Sequence, residues 1–254
     1  MDRLTETGKI LRIGNIVRSD GKTLVIAIDH GMGGMTQGIE DMENVVKKVI
    51  EGGADAVLLN LGIAKKIAKV ISGKTGLVLS IPYNPSYVKL AAKLGADSIK
   101  TTYFGPVPLS EERMKQISEI SLAAEEWGMP CMIEVVPLDS QGKTIYDVSI
   151  IKQASRIGAE LGGDIIKTAY AGTTQEYKEV VQSCPVPIVV MGGPKMESAL
   201  DLLKMVKNSI DSGAIGGAIG RNIWQYRDPT KITRAAISII HQNATLEEAL
   251  KILK

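Results

Sequence analysis

A lysine sits in the middle of a short β-branched run, Asp164-Ile165-Ile166-Lys167-Thr168-Ala169-Tyr170, where a charged side chain is out of place. If the run is a strand, side chains alternate between its faces, so Lys167 shares a face with Ile165 and points into whatever that face lines. Desolvation disfavours an ammonium there, and a neutral amine is a nucleophile toward carbonyls that can form a Schiff base. The alternative is an edge-strand lysine that snorkels to water or pairs with a carboxylate. Lys100 holds the equivalent place in Asp97-Ser98-Ile99-Lys100 and competes for the same role; its other readings are a substrate contact, a like charge that tunes Lys167, or an ordinary rim lysine.

Other polar residues end apolar runs. Asp29 and His30 follow Val25-Ile26-Ala27-Ile28, Asn60 closes Val57-Leu58-Leu59, and Glu134 lies inside Cys131-Met132-Ile133 and Val135-Val136. A carboxylate at Asp29 can orient a lysine, hold a hydroxyl or move a proton, or it simply caps the next loop. Glu134 faces the same way as Val136, and is functional only if that parity faces the site. Tyr170 and Tyr103 are candidate proton donors near Lys167 and Lys100. Gly192-Gly193-Pro194-Lys195 and Gly220-Arg221-Asn222 resemble phosphate turns: glycine lets backbone N–H groups approach an anion, a following helix adds its dipole, and arginine binds oxygens in pairs. With only His30 and His241 in the chain, and His241 on a late helix apart from any carboxylate cluster, no metal or other cofactor is expected.

The elements that position these residues repeat. Gly53-Ala54-Asp55, Gly95-Ala96-Asp97 and Gly162-Gly163-Asp164, with a looser copy at Gly213-Ala214-Ile215, each join the end of a helical pattern to a short apolar run. Strands are expected near 23 to 29, 55 to 60, 77 to 81, 97 to 102, 131 to 136, 164 to 170, 187 to 191 and 215 to 220. Helices are expected near 39 to 52, 62 to 72, 84 to 94, 110 to 127, 145 to 161, 173 to 183, 197 to 211 and 229 to 241. Eight strands alternating with eight helices define a (β/α)8 TIM barrel, whose active site lies at the C-terminal strand ends. Extra terminal helices are expected over 2 to 17 and 245 to 253, the latter opening on a Thr245/Glu248 capping box. An open doubly wound sheet is the other architecture considered, but no Gly-rich dinucleotide turn follows the first strand.

The 254 residues fit one barrel domain, 1 to 254, with no linker or composition shift. Hydrophobic residues make up 44% and charged residues 23%, as in ordinary globular proteins, and a net charge of +2 gives no reason to invoke nucleic acid or a membrane surface. Cys131 and Cys184 read as buried thiols of a reducing compartment. The first residues carry no apolar h-region and no run reaches the roughly 20 residues needed to span a bilayer, so a cytoplasmic protein is expected.

Four ordered motifs, Ile28-Asp29-His30-Gly31, Asp164-Ile165-Ile166-Lys167-Thr168, Cys184 to Lys195, and Gly220-Arg221-Asn222-Ile223, resemble the archaeal-type class I fructose-bisphosphate aldolases. That group includes the 2-amino-3,7-dideoxy-D-threo-hept-6-ulosonate synthases and the autoinducer-2 phosphate thiolases. The resemblance runs from about residue 20 to the C-terminus. It implies a Schiff-base lysine at Lys167, an acidic residue at Asp29, phosphate held by Gly192, Gly193, Gly220 and Arg221, a phosphorylated keto sugar as substrate, and a ring-shaped homo-oligomer, often a decamer. One motif departs: where the aldolases and heptulosonate synthases end the fifth strand in Tyr-Pro-Arg-Gly, this chain reads Val135-Val136-Pro137-Leu138, with Val136 at the place of the proton-transferring tyrosine. The thiolases also lack that tyrosine, and the segment 61 to 76 is short relative to the heptulosonate synthases. A metal-independent aldolase is the leading expectation. The others are a heptulosonate-synthase-like transaldolase or phospho-diketone thiolase, a noncatalytic phosphosugar-binding barrel, and a carboxylate-only isomerase or epimerase.

Overall fold

In a computed structural model, which describes residues 3 to 34 and 36 to 254, eight parallel strands close into a barrel in sequence order. They are β1 (Thr23–Ala27), β2 (Ala56–Asn60), β3 (Gly76–Ser80), β4 (Ser98–Gly105), β5 (Cys131–Pro137), β6 (Ile165–Ala169), β7 (Ile188–Met191) and β8 (Gly216–Ile219). Parallel strands need a crossover, and helices supply each one. In chain order the helices are α1 (Arg3–Ile16), α2 (Met42–Glu51), α3 (Leu61–Lys66), α4 (Ala68–Ile71), α5 (Ser86–Leu94), α6 (Glu111–Glu126), α7 (Val148–Glu160), α8 (Thr174–Ser183), α9 (Ala199–Asp211), α10 (Arg221–Trp224), α11 (Pro229–Gln242) and α12 (Leu246–Lys251). The expected (β/α)8 barrel with extra terminal helices is the observed fold. The helix expected from residue 2 is described from Arg3, residue 2 lying outside the described residues; the stretch 62 to 72 bends at Ile67 into two helices. The Thr245/Glu248 capping box is present.

The sequence repeat turns out to be two devices in one. Gly53, Gly95, Gly162 and Gly213 all have φ between 80° and 97°, the left-handed region that ends a helix and that other residues enter only with strain. The aspartates that follow stitch the barrel floor. Asp55 Oδ2 accepts the Leu24 N–H at 2.6 Å, Asp97 Oδ2 the Leu77 N–H at 2.8 Å, and Asp164 Oδ2 the Cys131 N–H at 2.8 Å. Each ties a strand to its predecessor. Their second oxygens hold the N-terminal segment: Arg18 bonds Asp55, Asn15 bonds Asp97 at 2.7 Å, and Lys9 bonds Asp164 at 2.8 Å. So α1 and the residues after it close the floor, with Ile16 packed against the inner residues Val25, Leu58, Val78, Met132, Ile165 and Val189. His241, expected apart from carboxylates, is here too: Nδ1 lies 2.8 Å from Asp20 and Nε2 2.9 Å from Asp55. Its helix returns to the floor late in the chain, a contact invisible to local sequence.

Inside the barrel the apolar layer gives way to charge toward the C-terminal ends. Register puts Glu134 directly beside Lys167 and beside Thr102. The larger hydrophobic core lies outside the strands, where the other face of each strand meets the helices. No described helix is long and apolar enough to cross a membrane.

Candidate active site

Four ionisable side chains meet in the upper barrel. Lys167 Nζ lies 2.7 Å from Glu134 Oε1, and the other carboxylate oxygen of Glu134 accepts from Lys100 Nζ at 3.1 Å and Thr102 Oγ1 at 2.8 Å. Lys100 also donates to Asp29 Oδ2 at 2.7 Å. Lys100, Lys167 and Glu134 are each about 5% exposed or less, so this is a desolvated network of two cations and two anions. The expected lone desolvated amine is therefore corrected: Lys167 is a buried member of an ion pair.

Pairing decides the protonation states. Burial alone would push both carboxyls up, but the charges of Lys100 and Lys167 pull Glu134 down to about 2 and hold Asp29 well below the ordinary carboxylate range. Burial would lower Lys100, and Glu134 and Asp29 instead hold it above the usual lysine value. Two carboxylates fixed as anions stabilise positive charge on whatever nitrogen stands at Lys167. An iminium keeps that charge on the same atom, so the network that suits the ammonium suits the iminium as well.

Above the network opens a cavity of about 200 Å³. Lys167 and Glu134 meet it from below, Gly192, Gly193, Gly220 and Arg221 from the strand 7 and 8 side, and His30 from the loop after β1. Arg221 donates to the Gly193 carbonyl at 2.9 Å, and its Nε is buried without a hydrogen-bond partner among the described residues. Asn222 fixes the same loop by donating to the carbonyls of Gly192 and Pro194 and accepting the Met196 N–H at 2.7 Å. Gly220 is required by close approach, since a Cβ there would stand 2.6 Å from His30 Cε1. The helix support expected at these turns is slight: α10, which starts directly after Gly220, has one turn, and α9 begins at Ala199, six residues past Gly193. Any anion here is held by backbone and guanidinium.

The remaining candidates sort by strand parity. Asn60 donates to the Asp29 carbonyl at 2.8 Å and steadies the loop carrying Asp29 and His30. His30 is half-buried, and burial lowers its pKa despite Asp29, so the imidazole is neutral at neutral pH. Asp29 and Lys100 lie in the network beneath the cavity and do not line it. Tyr170 stacks on Tyr177 of α8 with centroids 4.7 Å apart, and Tyr103 donates outward to the Pro106 carbonyl at 2.8 Å. Neither lines the cavity that holds Lys167. Each stands three residues beyond a site lysine, and an odd offset along a strand points to the opposite face. Among the lining residues that the sequence does not single out are Phe104, whose even offset from Lys100 is a usable signal, and Thr144 and Tyr146, which lie in an aperiodic loop that gives none.

A parallel barrel whose C-terminal end holds an amine in a carboxylate network beneath a small cavity defines a class of carbonyl-processing enzymes. Residues 23–226 match the model of the DeoC/LacD family aldolases. A 2-amino-3,7-dideoxy-D-threo-hept-6-ulosonate synthase of Archaeoglobus fulgidus is 31% identical, the match covering 96% of this chain and 95% of that protein. An uncharacterized aldolase of Saccharolobus solfataricus is 30% identical over 92% of this chain and 95% of its own length. Among solved structures, an archaeal fructose-1,6-bisphosphate aldolase with its catalytic lysine covalently bound to the carbinolamine intermediate of the substrate superposes with a TM-score of 0.80, at 26% identity over 91% of this chain and 99% of that one. The chain belongs to the DeoC/LacD aldolase family.

Proposed function

We propose that this aldolase makes or breaks a C–C bond in a phosphorylated keto sugar through an iminium on Lys167. The observation that carries the reading is Lys167 itself, buried at the floor of the cavity 2.7 Å from Glu134 and facing a wall of glycines and Arg221. Lys167 gives up its ammonium proton to solvent and adds to the ketone as the amine, the carbinolamine hydroxyl takes a proton and leaves as water, and the iminium draws electrons from the adjacent C–C bond. Glu134 stabilises the cation directly, and Asp29 does so from the next position in the network. Arg221 with the Gly192, Gly193 and Gly220 backbone holds the phosphate, and His30 faces the same space.

The fructose-1,6-bisphosphate aldolase whose lysine carries the carbinolamine supports this assignment for Lys167. Cleavage of fructose 1,6-bisphosphate in the presence of a chelator tests it: turnover is expected in the native protein and lost in Lys167→Ala. A Lys167→Ala protein that retains turnover overturns the assignment. The relatives named as heptulosonate synthases support a transaldolase that hands the enamine to another aldehyde. It is separated by incubating the protein with a ketose phosphate and a second aldehyde and asking whether the crossed product exceeds simple cleavage. Exposed Leu4, Ile10 and Leu11 on α1 support self-association as a homo-oligomer, which light scattering tests.

A further inference from the structure

Iminium chemistry on a keto sugar moves two protons beyond those of imine formation. One leaves the carbon beside the iminium as the enamine forms, and one reaches the aldehyde oxygen as the new C–C bond closes. The shuttle must face the reacting carbons and exchange its proton readily. Neither carboxylate fits. Glu134 already serves Lys167, Lys100 and Thr102, and with its pKa drawn down to about 2 it accepts protons poorly. Asp29 is bound to Lys100 and lies beneath the cavity rather than on its wall.

Tyr146, 46% exposed, lines the same cavity as Lys167. β5 passes Val136, which lines the cavity but has nothing to donate, and the chain then makes a tight excursion. A bridge between Leu138 and Thr144 pins it, and the Asp139 carboxylate accepts the Gln141 and Lys143 N–H groups at 2.8 and 2.9 Å. The excursion returns Tyr146 to the mouth two residues before α7 begins. Its hydroxyl lies beside the phosphate turn: a Cβ on Gly193 would stand 3.2 Å from Oη. Burial raises the phenol's pKa, while Arg221 and a hydrogen bond with Thr144 pull against that rise. A phenol next to a guanidinium has a counter-charge waiting for its phenolate.

We infer that Tyr146 is the proton shuttle of this aldolase, supplied by the loop after β5 and not by the strand itself. The inference rests on the Lys167 iminium reading above. In the condensing direction the phenol first releases its proton to solvent, with Arg221 as counter-charge, and the phenolate oxygen then takes the proton from the carbon beside the iminium. The C–H electron pair becomes the enamine double bond, and the iminium π pair moves to nitrogen. The enamine carbon then attacks the aldehyde, the carbonyl π pair goes to oxygen, and the phenol returns its proton to that oxygen. Phenolate and iminium are both restored, and cleavage runs the same steps backward with no further reactant.

Dihydroxyacetone phosphate isolates the first transfer, because its iminium can exchange the carbon-bound proton with D2O without any aldehyde. In Tyr146→Phe the exchange, followed by NMR, is expected to fall by about 10²- to 10³-fold, while borohydride trapping of the same ketone on Lys167 stays within about twofold of the native protein. The retained trapping shows that fold, phosphate site and lysine survive. Exchange at the native rate in Tyr146→Phe, or exchange lost in His30→Gln but kept in Tyr146→Phe, overturns the inference and leaves the iminium reading standing. A native protein that traps no dihydroxyacetone phosphate overturns the iminium reading, and the inference with it.

Discussion

Two clusters of buried charge sit at opposite ends of this barrel and are wired differently. At the floor, Asp55, Asp97 and Asp164 each spend one oxygen on a backbone N–H of the preceding strand and the other on a side chain of the N-terminal segment. At the top, Glu134 and Asp29 accept their hydrogen bonds from side chains alone, chiefly lysines, and a cavity opens above them. Backbone partners make a carboxylate a rivet, because its removal orphans a buried N–H that cannot move to another partner. Side-chain partners make it an electrostatic environment, which a substrate can enter when Lys167 changes its bond. The same residue types thus hold the fold at one end and tune reactivity at the other.

The sharpest way to break this division is to exchange the effects. Lys167→Met should lower turnover by about 10⁴-fold or more, the scale set by removing a covalent nucleophile, while the protein stays folded because Glu134 keeps Lys100 and Thr102. Steady-state kinetics with circular dichroism check both halves. Asp164→Ala should do the reverse. Orphaning the Cys131 N–H and releasing Lys9 costs about 2 to 3 kcal/mol, read as a fall of roughly 5 to 10 °C in Tm, with imine trapping preserved. An Asp164→Ala protein that melts normally but no longer traps ketone would collapse the distinction.

Acid and alkali should then separate the two ends. Glu134 has a native pKa drawn down to about 2, below its unfolded value near 4.5, so its contribution to stability is present above that unfolded value and is lost as pH falls through about 2. His241 runs the other way. Burial opposes its charging, but Asp55 and Asp20 raise its pKa above 6.5, so its contribution is full below 6.5 and is lost as pH rises through the raised value. Denaturant titrations of the native protein and His241→Gln across pH 5 to 9 should converge at the alkaline end. This is the smallest of the expected effects, since His241 is one contact among several on Asp55.

What the sequence made legible follows the range of each interaction. The glycines of the repeat were readable because a helix end and the next strand are adjacent in the chain, and their shared left-handed backbone bears that out. The aspartates beside them carried no local sign of their work, since Asp164 meets Lys9 across 155 residues. Lys167 and Glu134 could be placed on strands by their intrusion into apolar runs, but their 2.7 Å contact depends on strand register, which no single strand encodes. Tyr170 is near Lys167 along the chain, but the alternation of a strand turns it to the outer face against Tyr177. Tyr146 gave no pattern because its position depends on a short irregular loop folding back over the barrel mouth.

The most direct test of the central claim is the site of covalent capture. The native protein is incubated with dihydroxyacetone phosphate, reduced with borohydride and mapped by peptide mass spectrometry. A single adduct on Lys167, absent from Lys167→Met, is the expected result. An adduct on Lys100, or one that persists in Lys167→Met, would contradict the assignment of the reactive amine to the cavity floor.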